Sequence, residues 1–169
     1  MYMKEALRKK AKGKKGFTLV ELVIVIAVLA IIAAIAIPTV SNVINNANAS
    51  ADASNAQSIE LAIKTAQSEV AANNTNKSTN ADKIITPTSG NSATLGYLLK
   101  TYGVDTASVG LADGGSGDKL KVSGQHFYYN SDSGKVIASA PVNGAAPTGY
   151  TLLTASTAYS ISGNTLTIG

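Results

Sequence analysis

One long apolar run dominates the pattern of hydrophobic and polar positions along the chain. Residues 17–37 include a single acid, Glu21, and a single threonine, and they contain neither glycine nor proline. As a helix this run is about 32 Å long, close to the roughly 30 Å hydrocarbon core of a bilayer. Seven of the 14 basic residues precede it. Positive charge on that side predicts a transmembrane helix over residues 17–37 with its N-terminus in the cytoplasm.

The helical pattern continues beyond Pro38, where apolar residues recur at three- and four-residue steps as far as Val70. A polar run at residues 73–76 follows, so we expect the helix to end at about Ala72. Pro38 lacks an N–H and should kink the helix or end it briefly. Between residues 47 and 58 the stripe is reduced to alanine and serine. That stretch is therefore expected to make few contacts with the rest of the domain.

The remaining chain changes to loops, one short helix and strands. Residues 73–90 and 105–119 read as loop and irregular surface, and residues 92–102 as a short helix that stops at Gly103. Two hairpins are predicted from β-favouring runs on either side of turn residues: 125–129 with 135–139, and 157–161 with 165–168. We therefore expect an α+β fold, with an antiparallel sheet of about four strands packed on the second half of the long N-terminal helix.

The charge of the chain divides into two unlike parts. Residues 1–16 hold seven bases and one acid, a net charge of +6, whereas residues 17–169 hold seven bases and nine acids, a net charge of −2. The basic isoelectric point of the chain thus results from the charge of the leader. Because the bases after residue 16 are scattered, the sequence predicts no surface that tracks the phosphates of a nucleic acid.

The junction between the basic leader and the apolar run resembles that of a type IV prepilin. The leader ends at Gly16 and is followed by FTLVE, with the acid at Glu21, and then by apolar residues as far as Pro38. The resemblance covers roughly residues 9–38, and beyond them it is architectural only. It implies that a prepilin peptidase cleaves after Gly16, methylates Phe17 and leaves the apolar helix on the mature subunit.

The same resemblance implies how the subunit is used. It divides the chain into a cleaved leader (1–16), a long helix (17–72) and an extracellular head (73–169). The subunit would be anchored in membrane lipid before assembly. A cytoplasmic assembly ATPase and an inner-membrane platform protein would then add it to a homopolymer. In that polymer Glu21 of one subunit would pair with the Phe17 amine of another. This is the expectation for a major pilin, whose filament serves adhesion, motility, aggregation or DNA uptake.

Three alternatives stay open at this point. A pseudopilin of a type II secretion or competence system would share the N-terminus, and a minor pilin or adhesin would use residues 73–169 to bind a ligand. An ordinary secretory signal, cleaved after Ala36, would instead release a soluble protein that begins at Ile37. The length of the apolar run, its charge, and a proline two residues past that cut all disfavour this third alternative.

Other candidate chemistry is sparse. There is no cysteine, although many type IV pilins have a C-terminal disulfide. The head must therefore hold by packing and by its neighbours in an assembly, and a Gram-positive source would be consistent. Asp113 and Asp118 are spaced like acids in a small calcium loop, but two carboxylates are too few. His126 is the only histidine. The triplets at Asn48, Asn73 and Asn76 fit glycosylation sites. We predict no catalytic residue, metal or cofactor, and no enzyme activity.

Overall fold

The computed structural model describes residues 16–72, 93–112 and 120–169. The leader before Gly16, the predicted loop at residues 73–90, the candidate calcium loop, and the triplets at Asn73 and Asn76 lie outside these ranges. The chain forms two compact units, with the boundary between Ile44 and Asn45. Helix α1, Leu19–Ala72, contributes to both units and ends where the sequence predicts.

The first unit is the N-terminal part of α1. The helix passes through Pro38 without a break, so the expected brief end is wrong, whereas a kink at this residue stays a prediction. Pro38 has no N–H to donate to the carbonyl four residues earlier. Two hydroxyl groups beyond Pro38 form hydrogen bonds with other carbonyls of this turn. Thr39 Oγ1 donates to the carbonyls of Ile35 (3.0 Å) and Ala36 (2.8 Å), and Ser41 Oγ donates to the carbonyl of Ile37 (3.1 Å).

The second unit holds the hydrophobic core. The α1 residues that point into it recur at three- and four-residue steps, which confirms the predicted stripe: Ala56, Ile59, Ala62, Ile63, Ala66 and Val70. They pack with residues of a short helix α2, Leu95–Thr101, whose three leucines are fully buried. Gly103 follows with a φ of +79°, as expected of the residue that stops this helix.

Within the described residues, five short strands form two separate antiparallel sheets. The first sheet has the order β2–β1–β3, and its strands are β1, His126–Asn130; β2, Lys135–Ser139; and β3, Thr151–Leu152. The second sheet pairs β4, Tyr159–Ser162, with β5, Thr165–Ile168. The α+β class and both hairpins are confirmed. The prediction of a single sheet of about four strands is wrong, because the strands form one sheet of three and one of two. Strand β3 was not predicted, since two residues are too few to leave a periodic signal.

The region expected to be irregular surface contains a third helix. Helix α3, Thr106–Val109, is one turn long, and the Asp105 side chain caps it by accepting the Ser108 N–H at 3.1 Å. Gly110 ends it in the left-handed conformation, with φ +83°. Val109 and Leu111 are buried in the core. The irregular reading was wrong here because one apolar residue per turn gives no detectable period.

The alanine- and serine-rich part of α1 also differs from expectation. Asp52 is only 1% exposed, and its two carboxylate oxygens accept the backbone N–H groups of Lys121 (2.9 Å) and Val122 (2.8 Å). Asn55 Nδ2 donates to the carbonyl of Val109 at 3.4 Å. The prediction of few contacts between residues 47 and 58 is therefore wrong. Polar side chains make these contacts, and the apolar pattern does not report them.

Candidate processing and assembly site

The start of α1 is a reciprocal capping box. Thr18 stands one residue before the helix, and Glu21 stands three residues further on. The Thr18 N–H and its hydroxyl donate to Glu21 Oε2 at 2.8 Å and 2.7 Å, and the Glu21 N–H donates to Thr18 Oγ1 at 3.3 Å. These bonds satisfy two of the N–H groups that have no partner inside the helix. Glu21 thus has a local structural role that requires no second subunit.

Gly16 and Phe17 precede this cap and lie outside the helix. Phe17 is 90% exposed, and no described atom lies within 4 Å of the position that a Cβ on Gly16 would take. An exposed peptide bond outside the helix is accessible to a peptidase. In the uncleaved chain the Phe17 nitrogen is an amide. Cleavage after Gly16 would turn it into a free amine four residues before Glu21.

The described part of the chain places three predicted residues together and one apart. Gly16, Phe17 and Glu21 gather at the start of α1, whereas Pro38 lies about 25 Å further along the helix. Their proposed roles in cleavage, methylation and assembly stay predictions. Sequence reasoning missed Thr18 as the partner of Glu21. The spacing Thr-x-x-Glu before an apolar run is the sequence signature of a capping box and could have revealed it.

The apolar residues of the first unit are uncovered by the described parts of the chain. All large hydrophobic side chains from Leu19 to Ile44 are exposed, each to about half of its surface or more. By length and composition, α1 is the one helix among the described residues that could cross a membrane. Water solvates such a surface poorly, and lipid or other apolar helices would cover it.

The other candidate sites are weak in the structure. Among the described residues, no three His, Cys, Asp or Glu side chains are grouped so as to hold a metal ion. His126 is partly buried in β1, and its ring meets the Tyr128 ring edge-on at 6.3 Å between centroids. Asn48 lies within α1 and is half-buried. These positions fit packing roles.

Comparison with known proteins identifies one motif, in this same part of the chain. A family model described as the prokaryotic N-terminal methylation motif matches residues 11–37, which include Gly16, Phe17 and Glu21. Searches of curated proteins and of solved structures gave no match. The motif supports a type IV pilin-like prepilin, a class that includes the pseudopilins. It also suggests processing by a prepilin peptidase, and the apolar helix fits membrane anchoring of the precursor.

Proposed function

We propose that this protein is the major structural subunit of a type IV pilus. The uncovered apolar part of α1 carries the proposal, because it is joined to a folded second unit and most of it lies within the matched methylation motif. Prepilin peptidase cleaves the leader after Gly16 and methylates Phe17. The mature subunit then remains in the membrane until the assembly ATPase and the platform protein transfer it to the filament. The subunit is a building block and not an enzyme.

The physical basis of assembly is an exchange of apolar surroundings. A subunit that leaves the bilayer loses the lipid around residues 17–37, and its free energy rises unless equivalent apolar contacts replace the lipid. The same helices of other subunits provide those contacts. In this bundle the effective dielectric constant is low, so the Glu21 carboxylate and the Phe17 amine of a neighbouring subunit attract one another strongly. That pairing would set the axial register between subunits.

Two related functions compete with this proposal. A pseudopilin would use the same N-terminus in a short filament of a secretion or competence system. A minor pilin or adhesin would use the second unit to bind a ligand and would occur in few copies. The serine-, threonine- and asparagine-rich surface suits an exposed and abundant subunit, and this composition favours the major pilin.

The direct test examines the cell surface of the source organism. Material sheared from the cells is imaged by electron microscopy, and the subunit N-terminus is determined by mass spectrometry. We expect long filaments in which this chain is the main component and begins with methylated Phe17. Filaments with only traces of the chain would favour a minor pilin. Short, cell-associated assemblies would favour a pseudopilin. A soluble product that begins at Ile37 would refute all three.

A further inference from the structure

A two-residue turn lies between β2 and β3 in the second unit, with Asn143 and Gly144 at its tip. Val142 and Ala145 close the turn, because the N–H of each donates to the carbonyl of the other, at 2.8 Å and 3.0 Å. The φ angles of Asn143 and Gly144 are +51° and +78°. Positive φ at both central residues defines a type I′ turn, for which Asn-Gly is a favoured sequence.

The side-chain amide of Asn143 and the N–H of Gly144 are both free to react. The two residues are exposed, and neither group has a hydrogen-bond partner among the described residues. No described atom beyond the adjacent residues lies within 4 Å of the position that a Cβ on Gly144 would take. Every other asparagine of the chain is followed by a residue with a side chain, which shields the backbone nitrogen. The nitrogen after Asn143 is therefore the least hindered one of this kind.

The turn can also leave its closed conformation at little cost. For the Gly144 nitrogen to reach the side-chain carbon of Asn143, the bonds of Asn143 must rotate away from the type I′ geometry. Only the two hydrogen bonds between Val142 and Ala145 oppose this rotation, since their pairing is an isolated bridge outside β2 and β3. An exposed segment with so few contacts opens locally without unfolding the domain.

The turn between β4 and β5 provides a contrast within the same unit. Its flanking strands are joined over four residue pairs. The Nδ2 atom of Asn164 in this turn donates to the carbonyl of Ala71 at 3.2 Å. Asn164 is thus held by its side chain and by a longer ladder, and Thr165 follows it with a β-branched side chain.

We propose that Asn143 is a site of spontaneous deamidation through a cyclic succinimide. The Gly144 nitrogen loses its proton to a base and attacks Cγ of Asn143, so that a new N–C bond closes the ring. The bond from Cγ to Nδ2 breaks, and this nitrogen leaves as ammonia with a proton from water. A water molecule then adds to either ring carbonyl and breaks its bond to the ring nitrogen. The products are aspartate and isoaspartate, and water is the one co-reactant.

This modification changes the surface and leaves the core intact. Either product replaces a neutral amide by a carboxylate, so residues 17–169 would have seven bases and ten acids, a net charge of −3. Aspartate tolerates a positive φ as asparagine does and keeps the turn. Isoaspartate lengthens the backbone by one carbon atom and separates Val142 from Ala145. Residues 142–145 are exposed and outside the core, so the modified chain should remain folded.

Incubation of the full chain in detergent, at mildly alkaline pH in water enriched in heavy oxygen, tests the proposal. Trypsin cleaves after Lys135, and no lysine or arginine follows, so one peptide contains both Asn143 and Asn164. Fragmentation of this peptide in a mass spectrometer locates the heavy oxygen. We expect uptake at position 143 about tenfold faster or more than at position 164, where more hydrogen bonds must break. Equal rates at the two positions, or aspartate without isoaspartate at position 143, would overturn the proposal.

Gly144→Asp tests whether the Gly144 nitrogen is the attacking group. Aspartate is among the residues that type I′ turns accept, and the space around Gly144 accommodates its side chain. Its carboxylate lies close to the nitrogen and disfavours the loss of the proton. Uptake at position 143 should therefore fall about tenfold, while uptake at Asn164 in the same peptide stays unchanged. An undiminished rate at position 143, or an equal decrease at both positions, would refute the attack by this nitrogen.

Discussion

Glu60 and Gln67 lie seven residues apart on α1, and each forms a hydrogen bond with the outer edge of a different sheet. Glu60 Oε2 accepts the N–H of Val136 in β2 at 3.0 Å. Gln67 Nε2 donates to the carbonyl of Leu166 in β5 at 3.3 Å. Seven residues are about two helical turns, so the two side chains leave the helix in nearly the same direction.

These two bonds explain how one helix can hold two separate sheets. β2 and β5 are both edge strands, and every second residue of an edge strand directs its N–H and C=O away from its sheet. The Glu60 carboxylate can only accept hydrogen bonds and meets an N–H, whereas the amide of Gln67 uses its donor nitrogen toward the carbonyl. Each side chain thus suits the group that it meets. The long helix thus provides hydrogen-bond partners for the Val136 N–H and the Leu166 carbonyl, which would otherwise be open to pairing with a strand of another chain.

The first prediction is that residues 45–169 fold without the rest of the chain. Among the described residues, all buried side chains that form the core belong to this part, and the most N-terminal buried residue is Asp52. A fragment that starts at Asn45 should therefore be monomeric and should unfold cooperatively. Size-exclusion chromatography and thermal denaturation followed by circular dichroism measure this. An aggregated fragment without a cooperative transition would show that the second unit depends on residues 1–44.

The second prediction concerns the bond between Glu60 and Val136. In Glu60→Ala the buried N–H of Val136 loses its acceptor, which should lower the free energy of unfolding of the fragment by about 1–3 kcal/mol. Glu60→Gln is the matched control. It keeps an acceptor oxygen and loses the ion pair with Lys64, which is half-exposed and worth about 0–1 kcal/mol. Equal losses in both variants would mean that the charge matters and the edge bond does not.

The third prediction is the pH dependence of this contact. The hydrogen bond from Lys64 holds the pKa of the Glu60 carboxyl below its ordinary value of 4.5, the Val136 N–H acts in the same direction, and partial burial opposes both. In the unfolded chain the carboxyl therefore takes up its proton at higher pH. Its contribution to stability should be complete well above pH 4.5 and should be lost as the pH falls through the lower, folded pKa.

Urea denaturation of the fragment at several pH values measures this effect. The stability difference between the natural fragment and Glu60→Gln should shrink from about pH 6 to about pH 3, because glutamine does not titrate. A difference that stays constant over this range would contradict the proposed cause. The comparison with Glu60→Gln removes the contributions of all other carboxyl groups, since both proteins share them.

The sequence predicts the parts of this fold that depend on local, periodic information. Ile59, Ile63 and Val70 repeat with the helical period, and both hairpins follow from turn residues such as Gly134 and Gly163. The sequence does not predict that the strands divide into two sheets. The edge strands of these sheets contact α1 through Glu60–Val136 and Gln67–Leu166, pairs that are 76 and 99 residues apart in the chain. A hydrophobic pattern does not encode which polar side chain meets which strand.

The fourth prediction follows from another contact that sequence reasoning missed. Asp52 uses one carboxylate oxygen for each of two backbone N–H groups. In Asp52→Asn one oxygen becomes an NH₂ group that faces an N–H, so a donor is left without an acceptor. We expect a loss of about 1–3 kcal/mol in the free energy of unfolding. Asp132→Asn makes the same chemical change at an exposed turn residue and should cost less than about 0.5 kcal/mol. Similar losses in both variants would show that the two hydrogen bonds of Asp52 do not stabilise the fold.

The fifth prediction separates the two roles of Glu21, the local cap and the proposed pairing with a neighbour. Glu21→Ala removes both, and Thr18→Val removes only the hydroxyl that donates to Glu21 Oε2. A lost cap costs the helix about 1 kcal/mol, and this should affect the two variants alike. If Glu21 sets the register between subunits, Glu21→Ala should be exported and cleaved normally yet form few filaments, while Thr18→Val should form nearly normal amounts.

Filament yield by electron microscopy and leader cleavage by mass spectrometry measure this difference. Equal impairment of both variants would reduce Glu21 to a capping residue and leave assembly to the apolar surface alone. Normal filaments from Glu21→Ala would refute the register role outright. The register role depends on the apolar surroundings of the bundle, where an unpaired carboxylate is costly and a paired carboxylate attracts its partner strongly. The same carboxylate on an exposed helix would contribute little beyond its cap.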